Sequence, residues 1–321
     1  MDFKKWNSIE NHYQEKIIYK WAEHFPELNN MFFEVTEKIH GANFSILVNT
    51  DGEVRFASRN GVIEDEDKFY GYKAVFAREE YISLLNELKR ISVSWNEDLQ
   101  LFGELYGGKI QKGVFYGNEK HFRWYSLRIR EDIVRPSIAK EMLKEVLDFK
   151  VPVICKISSN TDGVLEMIKI VNHEFQSKLT PLEYTDENIC EGVVIVPYED
   201  IIKNQESYFL IKKKGDKFKD KNSKPKVHKV VVLDEPVQAL LDEAFLYINE
   251  NRTNDLQSKI GAFEEMKDLS RFAKEYFNDL FIDFEKDNYT EWQNLDKLSQ
   301  GIIKKNVGTR IYQELKSSLI R

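Results

Sequence analysis

The order of apolar and polar positions divides the chain into two stretches of different character. Up to about residue 230, short runs rich in Val, Ile, Phe and Tyr are broken by Gly and Asn turns and by a few helical segments, an α+β pattern. The run "FFEVTEKIHGANFSILVNTDGEVRFASRN" reads as two extended segments around "NTDGE", where Asp-Gly signals a hairpin. Residues 78–90, "REEYISLLNELKR", space Tyr81, Leu84, Leu85 and Leu88 on one face of a helix. "DLQLFGELYGGKIQKGVFYG" returns to strand and loop, and residues 136–150, "PSIAKEMLKEVLDFK", predict another helix with Ser137 as its cap. "EGVVIVPY" and "YFLIKKK" predict two more strands. Beyond them, "PVQALLDEAFLYINENR", "LQSKIGAFEEMKDLSRFAKEYFNDLF" and "LDKLSQGIIKKNVGTRIYQELKSSLIR" carry apolar residues at helical spacing with little β-branched alternation. The expected organisation is a domain of residues 1–229, a connection through "DKNSKPKVHK", and a helical domain of residues 230–321.

Composition narrows the class. With 321 residues, 42% hydrophobic and 31% charged, the chain can bury a sizeable core, and two domains are expected. No stretch approaches the roughly 18 apolar residues of a membrane span. The start, "MDFKKWNSIENHYQEK", lacks the apolar centre of a secretory signal, so a cytoplasmic location is expected. Cys155 and Cys190 lack partners at metal-ligand spacing, which excludes a disulfide framework or a zinc site and leaves two buried thiols. A net charge of −7 argues against nucleic acid, but its distribution does not. Residues 203–229 hold ten lysines against three acids, either a solvated surface or a local phosphate-binding stripe.

Four pieces carry candidate chemistry. In "VTEKIHG", strand alternation projects Lys38 and His40 together and Glu37 the other way. Glu104 in "LFGELYG" and Glu191 before "GVVIVPY" are carboxylates among apolar residues, costly to bury unless paired or bound to a metal. In "YFLIKKKGDKF", alternation sends Lys212 and Lys214 to one face and Lys213 to the other; two ammonium groups on one face call for an anion between them. Singly, these are an edge lysine, salt-bridge carboxylates and a solvated lysine patch. Together they make a site for a nucleoside triphosphate and Mg²⁺, suited to nucleotidyl transfer. A lysine attacks only as the free amine, which from a reference pKa of about 10.4 requires a lowered value; neighbouring cations act in that direction. The same cations stabilise charge developing on the α-phosphate.

These motifs resemble the RNA ligase 2 group of ATP-dependent RNA ligases, which includes phage enzymes and RNA-editing ligases, within the covalent nucleotidyltransferase superfamily. "EKIHGANFSI" looks like its Lys-x-His-Gly-x-Asn motif, "SRNGVI" like the next, "LFGELYGGKIQKGVFYG" like the Phe-Gly-Glu-Leu motif, and "EGVVIVPY" and "LIKKKGDKF" like the last two. The resemblance implies a nucleotidyltransferase (ATP-grasp-like ligase) domain of antiparallel sheets with flanking helices, followed by a small all-α domain. It implies that Lys38 takes AMP from ATP as a lysyl-AMP, passes it to an RNA 5′-phosphate, and lets a 3′-hydroxyl displace it. Carried over by position, Glu37 lies by the adenine through its backbone, His40 on the phosphate side, Asn43 near sugar and phosphate, and Arg59 near the ribose and terminal phosphates. Glu104 lies at the ribose, Gln111 follows in the same motif, and Tyr125 stacks on adenine, with Trp124 as its competitor. Glu191 binds Mg²⁺ or Mn²⁺, and Lys212 and Lys214 contact the α-phosphate. Two positions depart from the family pattern: Ser126 stands where an aspartate is usual and Thr36 where arginine is common.

The implied partners are ATP and RNA, a nick in duplex RNA for preference, handled by a monomer without membrane attachment. Lys304, Lys305, Arg310 and Lys316 are candidate phosphate contacts in the tail, the alternative being that they solvate the last helix. A GTP-dependent mRNA-capping guanylyltransferase shares the lysine chemistry, but its usual barrel domain is at odds with a helical tail. A non-catalytic RNA-binding protein with a decayed site predicts no covalent adduct.

Overall fold

The computed structural model describes residues 2–64, 66, 68–160, 162–205, 207–218, 234–261, 263 and 268–319. The chain forms two compact units, Met1–Lys217 and Phe218–Arg321. The boundary expected at 229/230 and the linker "DKNSKPKVHK" lie outside the described residues.

In the first unit, helix and strand alternate as β1 (Glu10–Asn11), α1 (Glu15–His24), β2 (Phe32–Lys38), β3 (Ala42–Val48), β4 (Val54–Ser58), α2 (Tyr72–Phe76), α3 (Glu79–Trp95), β5 (Leu99–Gly107), β6 (Lys120–Ile129), β7 (Asp132–Val134), α4 (Pro136–Met142), β8 (Val153–Ser158), α5 (Gly163–Ile170), β9 (Gly192–Pro197), β10 (Lys203–Asn204), β11 (Ser207–Tyr208) and β12 (Ile211–Lys214). Two five-stranded sheets result, one ordered β1-β12-β9-β2-β8 and the other β4-β3-β5-β6-β7. All their pairings are antiparallel except β1 with β12.

Period-two alternation gives each strand two different faces. Phe33, Val35, Val193, Ile195 and Ile211 of the first sheet pack with Ile18 of α1 and Val164, Met167 and Ile168 of α5. Phe44, Ile46, Leu101, Leu105, Phe122 and Trp124 of the second sheet pack with Tyr72, Val75 and Phe76 of α2 and Tyr81, Leu84 and Leu88 of α3. Helices therefore cover one face of each sheet. The opposite faces carry Glu34, Thr36 and Lys38 on one sheet and Asn43, Glu104 and Arg123 on the other.

Several expected elements differ in detail. The two extended segments expected around "NTDGE" are three strands, because Ile39, His40 and Gly41 carry the chain from one sheet to the other. The expected helix at 136–150 is α4 followed by a 3₁₀ segment, Lys144–Phe149. Its cap is Arg135, with Pro136 in the first turn; Ser137 makes no capping bond and its Oγ is buried without a hydrogen bond. "YFLIKKK" is broken between β11 and β12. Cys190 is buried, which pushes its thiol up to about 11, but Cys155 is exposed on the edge strand β8, contrary to the expectation of two buried thiols.

The second unit is all helix among its described residues: α6 (Glu235–Leu246), α7 (Glu250–Ile260), α8 (Leu269–Asp287), α9 (Tyr289–Asn294) and α10 (Lys297–Leu319). Ile303, Val307, Ile311 and Leu315 of α10 share a core with Phe272, Tyr276, Leu280 and Phe284 of α8 and with Leu241 and Ala244 of α6. Buried Arg252 is held by Asp279 and Asp283, at 2.6 and 2.7 Å. Among the described residues no helix is long and apolar enough to cross a membrane.

Candidate active site

The site is built on the crossing from β2 to β3. Lys38 ends β2, where it pairs with Gly192 of β9. Its ammonium donates to Glu191 Oε2 at 2.7 Å, His40 Nδ1 lies 3.2 Å from the same oxygen, and Lys214 Nζ lies 3.1 Å from Glu191 Oε1. Lys38 and His40 thus share a face, and one carboxylate, 1% exposed, gathers three partners. Burial alone would raise the Glu191 pKa; Lys38, Lys214 and His40 together hold it well below the usual carboxylate range.

Two glycines allow this convergence. A Cβ on Gly41 would stand 2.4 Å from Leu105 O and 2.9 Å from Glu104 Cγ, so only glycine lets the crossing lie this close to β5. Gly192 has φ +151°, and a Cβ there would meet Lys213 O at 2.1 Å. The crossing is pinned from above by Tyr116, whose buried hydroxyl accepts the His40 N–H at 3.0 Å. Gln111 Nε2 donates to Gly41 O at 3.5 Å.

On the facing sheet, Asn43, Glu104 and Arg123 are neighbours in register across β3, β5 and β6. Asn43 Nδ2 donates to the Tyr125 hydroxyl at 2.5 Å. A bulge in β6 opposite Phe102 and Gly103 lets Trp124 and Tyr125 take different surroundings. Trp124 is fully buried in the helix-covered core, with Nε1 donating to Val146 O, which removes it as the competing stacking residue. The Tyr125 hydroxyl is pushed well up by burial and then by Glu104, against Arg59 and the Asn43 hydrogen bond. Ser126 pairs with Phe102 in the same strands.

The lysine run does not form one surface. Lys213 is buried and donates to Ile168 O, Lys169 O and Val171 O at the end of α5, whereas Lys214 turns to Glu191. Lys212 is half-buried beside β1, its carbonyl accepting the His12 N–H. Neither a solvated patch nor a continuous stripe describes these three residues, and positions 219–229 of the run lie outside the described residues. The Glu37 carboxylate faces away from Lys38, accepting from Ser177 Oγ at 2.6 Å and Lys178 N at 2.8 Å, while its amide donates to Pro152 O. Burial raises its pKa against those bonds.

Sequence reasoning missed Tyr116 and the N-terminal segment. Trp6 packs on Phe102 and Tyr125, with ring centroids 4.9 and 5.1 Å away, and Asn11 pairs with Lys212. Tyr116 lies in "GVFYG", where nothing local reveals a hydrogen bond to a residue 76 positions away. A two-residue strand has no periodicity to detect.

Among the described residues, Glu191 Oε1 is buried without a hydrogen bond and is flanked by the Lys214 ammonium. One such carboxylate suits a divalent cation of the Mg²⁺ type, which takes one or two carboxylates and completes its shell with phosphate oxygens and water.

Two facing antiparallel sheets with a lysine–glutamate centre between them are the architecture of a nucleotidyl-transferring ligase domain. The family profile described as RNA ligase matches residues 31–214, and that described as T4 RNA ligase 2 C-terminal matches residues 231–313. The chain belongs to the RNA ligase family, in its RNA ligase 2 branch. It is 35% identical over 92 residues to the mitochondrial RNA-editing ligase 1 of Trypanosoma brucei brucei, covering 26% of this chain and 19% of that protein. It is also 35% identical over 83 residues to the mitochondrial RNA-editing ligase 2 of the same organism, covering 23% and 18%. The matched segment thus spans about a fifth of these relatives. A Naegleria gruberi RNA ligase variant solved with ATP and Mn superposes with a TM-score of 0.50 at 17% identity, over 67% of this chain and 57% of that one, and shares the fold.

Proposed function

We propose that this protein is an ATP-dependent RNA ligase that joins a 3′-hydroxyl to a 5′-phosphate and acts on nicks in duplex RNA. The observation that carries this reading is the convergence of Lys38, His40 and Lys214 on buried Glu191, opposite Asn43, Glu104 and Tyr125. Membership of the RNA ligase family supports it.

In this reading Lys38 Nζ, released from Glu191 and uncharged, attacks the α-phosphorus of ATP. The P–N bond forms as the bond to pyrophosphate breaks. The adenylate then passes to an RNA 5′-phosphate oxygen, regenerating the Lys38 amine. A 3′-hydroxyl attacks that activated phosphorus, losing its proton, and AMP leaves.

Lys214 and Lys212 neutralise the charge that gathers on the α-phosphate, and His40 works from the phosphate side. Tyr125 stacks on the base, with Glu104 and Asn43 at the sugar and Arg59 beyond it. Glu37 lends its backbone to the adenine edge, and its anchored side chain fixes that edge. Gln111 keeps the Gly41 carbonyl in place. Glu191 would hold Mg²⁺ or Mn²⁺, which supplies positive charge beside the reacting phosphate. In the second unit, Lys304 is engaged by Glu285 and by the rings of Phe281 and Trp292, and Arg310 by Glu314. Lys305 and Lys316 are exposed on α10 and are the tail residues assigned to RNA phosphates.

The test is sealing of a duplex RNA with one 3′-hydroxyl/5′-phosphate nick. Joined product with ATP and none with GTP is expected. Preferential transfer from GTP to a 5′-diphosphate RNA end would replace this reading with a capping activity.

A further inference from the structure

Beyond Lys38 along β2, the same inter-sheet face carries a second concentration of charge. Glu34 is 1% exposed and is flanked by Lys150 Nζ at 2.5 Å and Lys140 Nζ at 2.6 Å. Its register partner on β8 is Lys156, whose ammonium lies 3.4 Å from the centre of the Tyr198 ring; Lys140 approaches that ring at 5.5 Å. Arg123, next in register after Glu104, reaches across to the carbonyls of Asp148 and Lys150. Two lysines thus hold one buried carboxylate, with Arg123 and Lys156 on the neighbouring strands.

Between them lies a cleft of about 470 Å³ lined by Arg123, Lys140, Lys150, Leu147, Pro152 and Val153. Its size falls within the roughly 300–1,000 Å³ of small-molecule sites. Among the described residues, Lys150 Nζ makes its one hydrogen bond to Glu34, leaving N–H donors of its ammonium for a ligand. Glu34 takes one lysine at each oxygen, Lys150 at Oε1 and Lys140 at Oε2, so the carboxylate serves as a counter-charge while each ammonium keeps N–H donors to spare. Lys38 lies four positions along the strand from Glu34, about 13 Å away.

We propose that this cleft is a phosphate site separate from the one at Lys38, binding a phosphate group of the RNA strand through Lys140, Lys150 and Arg123. A tetrahedral dianion or a phosphodiester supplies the acceptors that these donors lack and offsets the excess positive charge. Thr36 pairs with Val153 at the cleft edge, so the cleft and the Lys38 site lie on one face of β2. The RNA source of the phosphate rests on the proposed ligase activity; the anion site does not.

The experiment measures equilibrium binding to the full chain without ATP. Its probes are a short RNA bearing a 5′-phosphate, the same RNA with a 5′-hydroxyl, and inorganic phosphate as competitor. Lys140→Met and Val153→Glu, the second placing a carboxylate at a 39% exposed rim position, are each expected to weaken RNA binding about tenfold. Lys140→Arg retains it. Loss confined to the phosphorylated strand identifies the terminal phosphate, and equal loss for both identifies an internal phosphodiester; both outcomes support the site. Unchanged affinity for both strands and unchanged competition by phosphate in folded Lys140→Met and Val153→Glu would overturn it. Because ATP is absent, a protein that never accepts AMP still answers this question, and binding without adenylylation would sink only the ligase reading.

Discussion

At the level of single residues, Glu191 gathers two ammonium groups and an imidazole on one buried carboxylate. Its depressed pKa has a thermodynamic consequence. A carboxyl whose folded pKa lies below its usual 4.5 contributes stability that is present above that value and lost as pH falls through the folded pKa. Glu34, where Lys150 and Lys140 outweigh burial, acts in the same direction. Glu37 acts oppositely, its contribution being lost as pH rises from the usual value through its raised one. Urea midpoints are therefore expected to fall below about pH 4.5, with a shallower acid limb in Glu191→Gln; an identical limb in that variant would contradict the assignment. Tyr116→Phe leaves the buried His40 N–H without its acceptor and is expected to cost about 1–3 kcal/mol in urea titration. The pairing of Lys38 with His40 on one face was legible from alternation in "VTEKIHG", and Glu191 from its place as a carboxylate opening the apolar run "GVVIVPY". Tyr116 was not, because its bond spans the loop after β5.

Elements position these residues by crossing between sheets, and that crossing depends on Gly41. Gly41→Ala must displace Leu105 O or the crossing itself, which is expected to cost about 1–3 kcal/mol in thermal or urea unfolding. Unchanged stability would mean that the close approach is not maintained in solution. The strands were readable from apolar runs and the β3–β4 hairpin from Asp-Gly. The break at Ile39–Gly41 was not read, although its one trace is in "VTEKIHGANFSIL", where the apolar positions pass from odd (Val35, Ile39) to even (Ala42, Phe44, Ile46) as the partner strands change. The facing of the lysine strand followed from alternation alone, and Lys213 capping the carbonyls of α5 bears it out. What alternation does not contain is depth. A run of three lysines reads as solvated, yet two are buried because a helix end and a carboxylate wait for them.

For the whole molecule, the chain divides into two compact units at Lys217/Phe218. Their separate cores mean that the first unit holds every residue proposed for adenylyl transfer. Removing the residues after about 230 is expected to spare AMP uptake while weakening nick sealing, read by comparing adduct formation with joined product. Equal loss of both would count against a substrate-holding role for α6 to α10. All of this depends on a covalent step at one amine. The most direct measurement is the intact mass of purified protein after incubation with ATP and Mg²⁺, beside Lys38→Ala. A gain of one adenylate in the native chain and none in the variant is the expected result. A native chain that never gains it, or a variant that still does, would contradict the assignment of Lys38.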